Sequence, residues 1–312
     1  MEPQILAELE AGGQGSLQVA PGTNVERIEI QHADPNVEVD GQRAEMNTPH
    51  PFLTDPAVRQ AINLAVQRDV ISQQLYAAEA EPATANILAG IPALASPNTS
   101  WEFNVEKAQQ ILEDAGWTVQ GDVRAKDGVE LRMTYSTSIN SVRQKEQAIV
   151  KQALEQIGFK VELRQVDSGI FFDSSPGNDQ NINHFYNDLQ MYTNNATTPF
   201  PTAYMIGWYA GPNGEEISQR SNGWSGQNNS RYRSDEYDQL FQQVRVETDL
   251  EAAAEMFIRL NDILIEDVAV VPIVNRAADK YAVSNTLVAE NVAVGPFENN
   301  YWNIANWNRT EG

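Results

Sequence analysis

The residues best suited to holding a small molecule are concentrated in one stretch of the 312-residue chain. Nine aromatic side chains fall within residues 185–233: Phe185, Tyr186, Tyr192, Phe200, Tyr204, Trp208, Tyr209, Trp224 and Tyr232. Seven asparagines, at positions 187, 194, 195, 213, 222, 228 and 229, share that span. An enclosed ligand needs flat apolar walls and a few polar groups that satisfy its hydrogen bonds, and aromatics with carboxamides supply both. Tyr192, Trp208, Tyr209 and Trp224, with Asn194, Asn195 and Asn228, are therefore the candidate ligand-binding residues. Taken singly, each also fits a plainer role, an aromatic in a core or an asparagine in a turn. Regular periodicity fades between Asp167 and Ser234, apart from a strand-like run from Asp188 to Thr193. Long irregular segments in compact domains are usually functional or disordered. Disorder is poor in aromatics, so the composition favours a segment that lines a cleft.

Other chemistries find little support. There is no cysteine, which excludes disulfides, thiolate metal sites and cysteine nucleophiles. His32, His50 and His184 share no ligand-like spacing, so neither a metal site nor any cofactor is expected. Gly12-Gly13-Gln14-Gly15 lacks the Lys-Ser/Thr that a phosphate loop requires, and no GxSxG or HExxH pattern is present. A glycoside-hydrolase-like enzyme would need two carboxylates facing a cleft. With 43 acidic residues some pair can always be found, which makes that alternative weak. Glu215-Glu216 and Asp235, Glu236 and Asp238 read as solvated turn and helix-start acids. A formal net charge of −22 repels nucleic acid and anionic membrane surfaces. The most apolar stretch, residues 263–274, is interrupted by Glu266, Asp267 and Pro272, far short of the roughly 18 apolar residues that span a bilayer. Met1 to Leu6 shows no basic segment or apolar core of a secretory signal, so export implies a signal outside these residues.

Around the aromatic segment the pattern is regular. Residues 25–31 alternate apolar and polar as a strand does. Asp55 and Pro56 suit the cap and first position of a helix. Its apolar face runs through Val58, Ala61, Ile62, Ala65 and Val66 and on to Ile71 and Leu75. A second helix starts at Asn104, carries Ala108, Ile111, Leu112 and Ala115, and stops at Gly116. Leu131, Met133 and Tyr135 alternate as a strand. Val142, Ile149, Ala153 and Ile157 share one helix face that ends at Gly158, and Val161 and Leu163 open another strand. Strand, helix, strand predicts a parallel pair with a right-handed crossover. Helices near 235–247 and 250–266 precede an apolar, β-rich run from Val268 to Val274 that reads as a buried strand. The class is α/β.

Five segments in order then carry a family resemblance. They are Thr54-Asp55-Pro56-Ala57-Val58-Arg59-Gln60-Ala61-Ile62 continuing to Ile71, Asn104-Val105-Glu106-Lys107-Ala108 through Gly116-Trp117, Gly128 to Leu131, Ile157 to Val161, and Ser230-Arg231-Tyr232 with Glu236 to Leu240. Together, over residues 47–275, they resemble the oligopeptide/dipeptide/nickel class of solute-binding proteins of ABC importers, bacterial extracellular solute-binding protein family 5. Gln67 stands where that pattern usually has Asp. The resemblance implies two lobes joined by a hinge. Residues 40–280 would form the C-terminal ligand-binding lobe, a type II periplasmic-binding-protein-like lobe with a mixed sheet flanked by helices. Residues 1–39 would cross the hinge and supply part of the first lobe, and 281–312 would return to it; most of that other lobe has no counterpart here. It implies a binding protein rather than an enzyme. Such a protein captures a peptide or similar small solute between the lobes and delivers it to ABC permease subunits. Its location would be extracytoplasmic, at a cell surface as a lipoprotein or in a periplasm. A degenerate lobe serving as a sensor or interaction module is the further alternative. Arg59 and Arg68, within the first motif, read as structural, with packed stems and paired heads. Peptide binders of the family often carry an Asp shortly after an aromatic, where it pairs with the peptide's α-ammonium. Here Tyr192 is followed by Thr193-Asn194-Asn195-Ala196-Thr197-Thr198-Pro199 and Asp188 precedes it, which leaves a sugar, a blocked peptide or another solute open.

Overall fold

The computed structural model describes residues 8, 11–20, 22–76, 78, 81–276, 279–288, 292, 295–299 and 301–309. In chain order the principal elements begin with β1 (Gly15–Ala20), β2 (Asn24–Ile30), α1 (Pro56–Ala65), α2 (Arg68–Leu75) and α3 (Val105–Asp114). A small meander follows, β3 (Thr118–Gln120), β4 (Val123–Lys126) and β5 (Val129–Glu130). Then come β6 (Arg132–Ser138), α4 (Ser141–Gln156), β7 (Lys160–Val166), the short α5 (Ser168–Phe171), β8 (Leu189–Asn195) and the short α6 (Thr202–Met205). The described elements close with α7 (Asp235–Val244), α8 (Leu250–Glu266), β9 (Val270–Arg276) and β10 (Asp279–Ser284).

The helices start where the sequence offers a cap. Asp55, Asn104, Asn140, Ser234 and Asp249 each accept a hydrogen bond from a first-turn amide, an arrangement worth about 1 kcal/mol per helix. The β6–α4–β7 unit forms as its pattern predicts, with β6 and β7 parallel from Arg132↔Lys160 to Ser138↔Val166. Gly158 ends the crossover helix at φ +97°, a conformation that costs a residue with a Cβ.

Two expectations shift. The apolar face read as one helix through Leu75 is two helices, because Val66 is extended and other groups take the carbonyls of Asn63 and Leu64. Asn104 N donates to Leu64 O, and the Arg68 guanidinium donates to Asn63 and to Pro272 O. The strand expected from Val268 begins at Val270, since Val268 adopts φ +49° and Ala269 N folds back onto Leu264 O.

The main sheet has the order β7-β6-β8-β2-β9. Strands β6, β7 and β8 run parallel, and β2 is antiparallel to both β8 and β9. Four strands thus point one way and β2 alone runs against them. Two cores cover the sheet. One joins Ile28, Tyr135 and Met191 to α1–α4. The other joins Val270, Trp208 and Met205 to α7 and α8. Residues 24–30, grouped by the sequence reading with a crossing segment 1–39, are a strand inside this sheet. Ahead of β2 and beyond β9, β1 pairs antiparallel with β10 as a two-stranded ribbon. It leaves the sheet at the edge where the four parallel strands end.

Arg59 and Arg68 are buried and turn their heads to main-chain carbonyls. Arg59 donates to Asp267 O and Leu53 O. Burial lowers both pKa values, that of Arg68 to about 9.

Candidate functional site

Over the β2–β8 pair, on the face covered by α7 and α8, lies a partly open cavity of about 120 Å³. Strand β2 contributes Arg27 and Glu29, β8 contributes Tyr192 and Asn194, α6 contributes Tyr204 and the turn after it Trp208. Asn183 and the Gln227-Asn229-Ser230 segment complete much of the wall. Alternation along β2 sends Arg27 and Glu29 to this face and Ile28 and Ile30 to the other.

Arg27 is 2% exposed. Its Nε donates to Glu29 Oε1 at 2.5 Å, and Trp208 Nε1 donates to Glu29 Oε2 at 3.2 Å. The guanidinium carbon lies 4.9, 5.5 and 5.3 Å from the ring centres of Tyr192, Tyr204 and Trp208, within cation–π range. Burial works against the Arg27 charge, but Tyr204, Glu29 and Tyr192 around it raise its pKa. Burial, then the Glu29 charge, pushes the Tyr192 hydroxyl up. Burial raises Tyr204 as well. Arg27 therefore stays charged and the two tyrosine hydroxyls stay neutral at neutral pH.

The seven sequence candidates divide. Tyr192, Trp208 and Asn194 line the cavity. Asn195, next to it at the end of β8, donates to Ala196 O. Tyr209 packs on Phe241 with ring centres 4.8 Å apart and accepts from Gln242. Asn228 is fully buried, donates to Tyr232 O and accepts from Ser230 Oγ. Trp224 stacks on His184 at 4.1 Å. The last three are not among the cavity's lining residues.

Several lining residues were not singled out in the sequence. Arg27 and Glu29 look like the solvent side of an alternating strand, and nothing in period two says what covers that side. Tyr204 was one aromatic among nine. Ile139, Ile170 and Phe172, 42–55% exposed, follow the ends of β6 and β7, and Phe172 meets Tyr192 edge to face at 6.3 Å.

Asp188 is not available to a ligand's ammonium. Its Oδ1 accepts from His50 Nε2 at 2.8 Å, and its Oδ2 accepts from Thr134 N and Oγ1. On the opposite face of β2, buried Glu26 is held by Arg143, Arg276 and the Thr193 hydroxyl. Among the described residues no cluster of three or more His, Asp or Glu is placed to hold a metal ion, and no helix is long and apolar enough to cross a membrane.

Known proteins supply the frame for this geometry. Residues 2–216 match the model of bacterial extracellular solute-binding proteins, family 5, middle region. The glutathione-binding protein GsiB of Salmonella choleraesuis is 30% identical over 124 residues, 40% of this chain and 22% of that protein. An oligopeptide-binding protein from Thermus thermophilus, solved with a pentapeptide, superposes with TM-score 0.74 at 24% identity, covering 93% of this chain and 47% of that one. NikZ from Campylobacter jejuni, solved with Ni(L-His), superposes with TM-score 0.73 at 16% identity, over 99% and 56% of the two chains. This chain thus spans about half the length of those solved structures. The superpositions establish a type II periplasmic-binding-protein lobe, with a mixed sheet between helical layers. By the family match over most of its length, the chain belongs to the bacterial extracellular solute-binding proteins of family 5.

Proposed function

We propose that this chain is the solute-capturing lobe of an ABC importer's binding protein, acting outside the cytoplasm and handing its solute to permease subunits. The observation that carries this reading is the Arg27 cavity. Tyr192, Tyr204 and Trp208 wall it and Arg27 and Glu29 lie on its β2 side, and it reaches Asn194 near the end of β8; ligands of α/β sheets usually lie where the parallel strands end. The ribbon of β1 and β10 leaves the sheet at the same edge, which suits strands that cross to a second lobe. Residues 1–23 and 281–312 then belong to the crossing, and β2 belongs to the lobe. Tyr192, Asn194 and Trp208 face the solute, with Asn195 at the margin. Lobe closure, driven by contacts made only in the closed state, completes the enclosure.

An enzymatic reading fares worse. Among the described residues lining the cavity Glu29 is the one carboxylate, and it is already held by Arg27 and Trp208. Native mass spectrometry of the intact protein, purified gently from its own cells, is expected to show a co-purified small solute. That solute should raise the melting temperature saturably and remain unchanged on incubation; at a hundredfold excess over Kd it adds about 2.7 kcal/mol. Turnover of the solute, abolished by Glu29→Gln, would replace this reading with an enzymatic one.

A further inference from the structure

Exposed apolar side chains stand at several places on the described surface, and at one of them the sheet gathers residues distant in sequence. Ile139, 55% exposed, follows the last residue of β6. Ile170 and Phe172, 42% and 45% exposed, lie on and just after α5, the short helix behind β7. The backbone ties these segments together. Ile139 N donates to Val166 O, Ile170 N donates to Asp167 O, and α5 packs against β6. Ser138 stands opposite Val166, and Thr137 opposite Met191, so Ile139, Asp167 and Tyr192 lie at nearly one level of the sheet. Phe172 meets Phe171 edge to face at 5.1 Å and Tyr192 at 6.3 Å. Tyr192 also walls the Arg27 cavity, so cavity and patch meet at one ring.

Position, charge and size say what covers this patch. It stands where three parallel strands end, the usual place for a ligand. Its neighbours offer no free charge. Asp167 is turned to Gly169 N and Asp173 to Ser175, Arg143 is spent on Glu26, Ser138 and Thr193, and β8 ends in Asn194-Asn195. A charged group set here would lose hydration and gain no partner, whereas an apolar group sheds water from both surfaces. A stable protein interface takes about 800 Å² and roughly 20 to 30 residues from each side. Three side chains match a single group of a small solute instead.

We propose that Ile139, Ile170 and Phe172 form an apolar subsite, which takes an aliphatic or aromatic group of the bound solute. This assignment rests on the solute-binding reading above and adds the chemical class of one part of the solute.

The test titrates the blocked tripeptides acetyl-Ala-Xaa-Ala-amide, with Xaa Phe, Leu, Ala, Glu or Lys, into the intact protein and its Phe172→Gln and Ile139→Gln variants. Both positions are exposed, so both variants are expected to fold. The Phe and Leu peptides should bind about tenfold tighter than the others. Each substitution should remove that preference and leave the Ala peptide unchanged. An Ala, Glu or Lys peptide bound as tightly as Phe overturns the subsite while solute binding stands. So does a substitution that weakens all five peptides alike. A lowered melting temperature of solute-free Phe172→Gln, with the peptide preference intact, assigns the patch to packing within the protein and also overturns it. Where no peptide binds, the co-purified solute decides. An apolar group on it and a tenfold loss on Phe172→Gln support the subsite; the absence of either sinks it. Failure to bind any solute at all removes the parent reading as well.

Discussion

Two buried polar clusters flank the same strand pair and are built in opposite ways. At the start of β8, Asp188 is 3% exposed and its oxygens are met by His50 Nε2, Thr134 N and Thr134 Oγ1. His50 is itself fixed, because Nδ1 accepts from the amides of Phe52 and Leu53, which puts the ring proton on Nε2 facing Asp188. Toward the other end of β8, Arg27 is equally buried, yet Nη1 and the neighbouring Tyr204 hydroxyl have no partner. The first cluster closes on itself and ties the 32–55 segment to the sheet. The second pairs Arg27 with Glu29 and Glu29 with Trp208 but leaves Arg27 Nη1 and the Tyr204 hydroxyl unpaired. Burial and charge alone do not separate the two clusters; what separates them is how completely the protein itself pairs their polar atoms.

The comparison breaks most visibly at Asp188. Replacing Asp188 with Ala leaves the Thr134 amide and His50 Nε2 buried without an acceptor. Removing one member of a buried charged cluster costs about 3 to 5 kcal/mol, and urea denaturation should show that loss. Where enough folded protein survives, solute affinity should be unchanged. A loss under about 1 kcal/mol would mean that the cluster does not hold the segment.

The fold was far more legible in the sequence than this contrast. Caps at Asp55 and Asn104, the stop at Gly158 and the β6–α4–β7 unit are written in neighbouring residues, so local patterns suffice. The break at Val66 is not local, since it depends on Asn104 N reaching Leu64 O and Arg68 reaching Pro272 O. The candidate site was legible only as a segment. Trp208 and Tyr209 are adjacent aromatics, but one turns to Arg27 and the other to Phe241, a choice made by the packing of α7. Arg27 and Glu29 lie about 160 positions before Tyr192 and reach it only through the β2–β8 register, Arg27↔Tyr192.

His32 offers a sharper case, because its ring nitrogens are enclosed without lining the cavity. Burial, reinforced by Arg59, lowers its pKa from 6.5 to about 3. Between those values the unfolded chain binds the proton and the folded chain does not. Stability is therefore full above about pH 6.5 and falls as the pH drops toward 3, by up to about 1.4 kcal/mol per unit. Glu146, raised by burial and by Glu26, has the opposite sign, so the informative quantity is a difference between proteins. Wild type should lose about 2 kcal/mol more than His32→Phe between pH 7.5 and pH 5, in denaturant titrations at each pH. Parallel profiles would show that this ring is reached by water.

The smallest expected effect, that of Tyr204→Phe, tests the contrast most directly when a second hydroxyl is set beside it. Thr134 Oγ1 donates to Asp188 at 2.8 Å, whereas the Tyr204 hydroxyl donates to nothing in the protein. Thr134→Val should cost about 1.5 to 3 kcal/mol, since a hydrogen bond to a charged group is lost and the carboxylate is left short of a donor. Tyr204→Phe removes a polar group that gains nothing from being buried, so the unliganded protein should gain about 0.5 to 1 kcal/mol. Differential scanning calorimetry of ligand-free protein should thus give melting shifts of opposite sign for the two deletions. If Tyr204→Phe instead destabilises as Thr134→Val does, the tyrosine hydroxyl has a structural partner, and the contrast between the two clusters disappears with it.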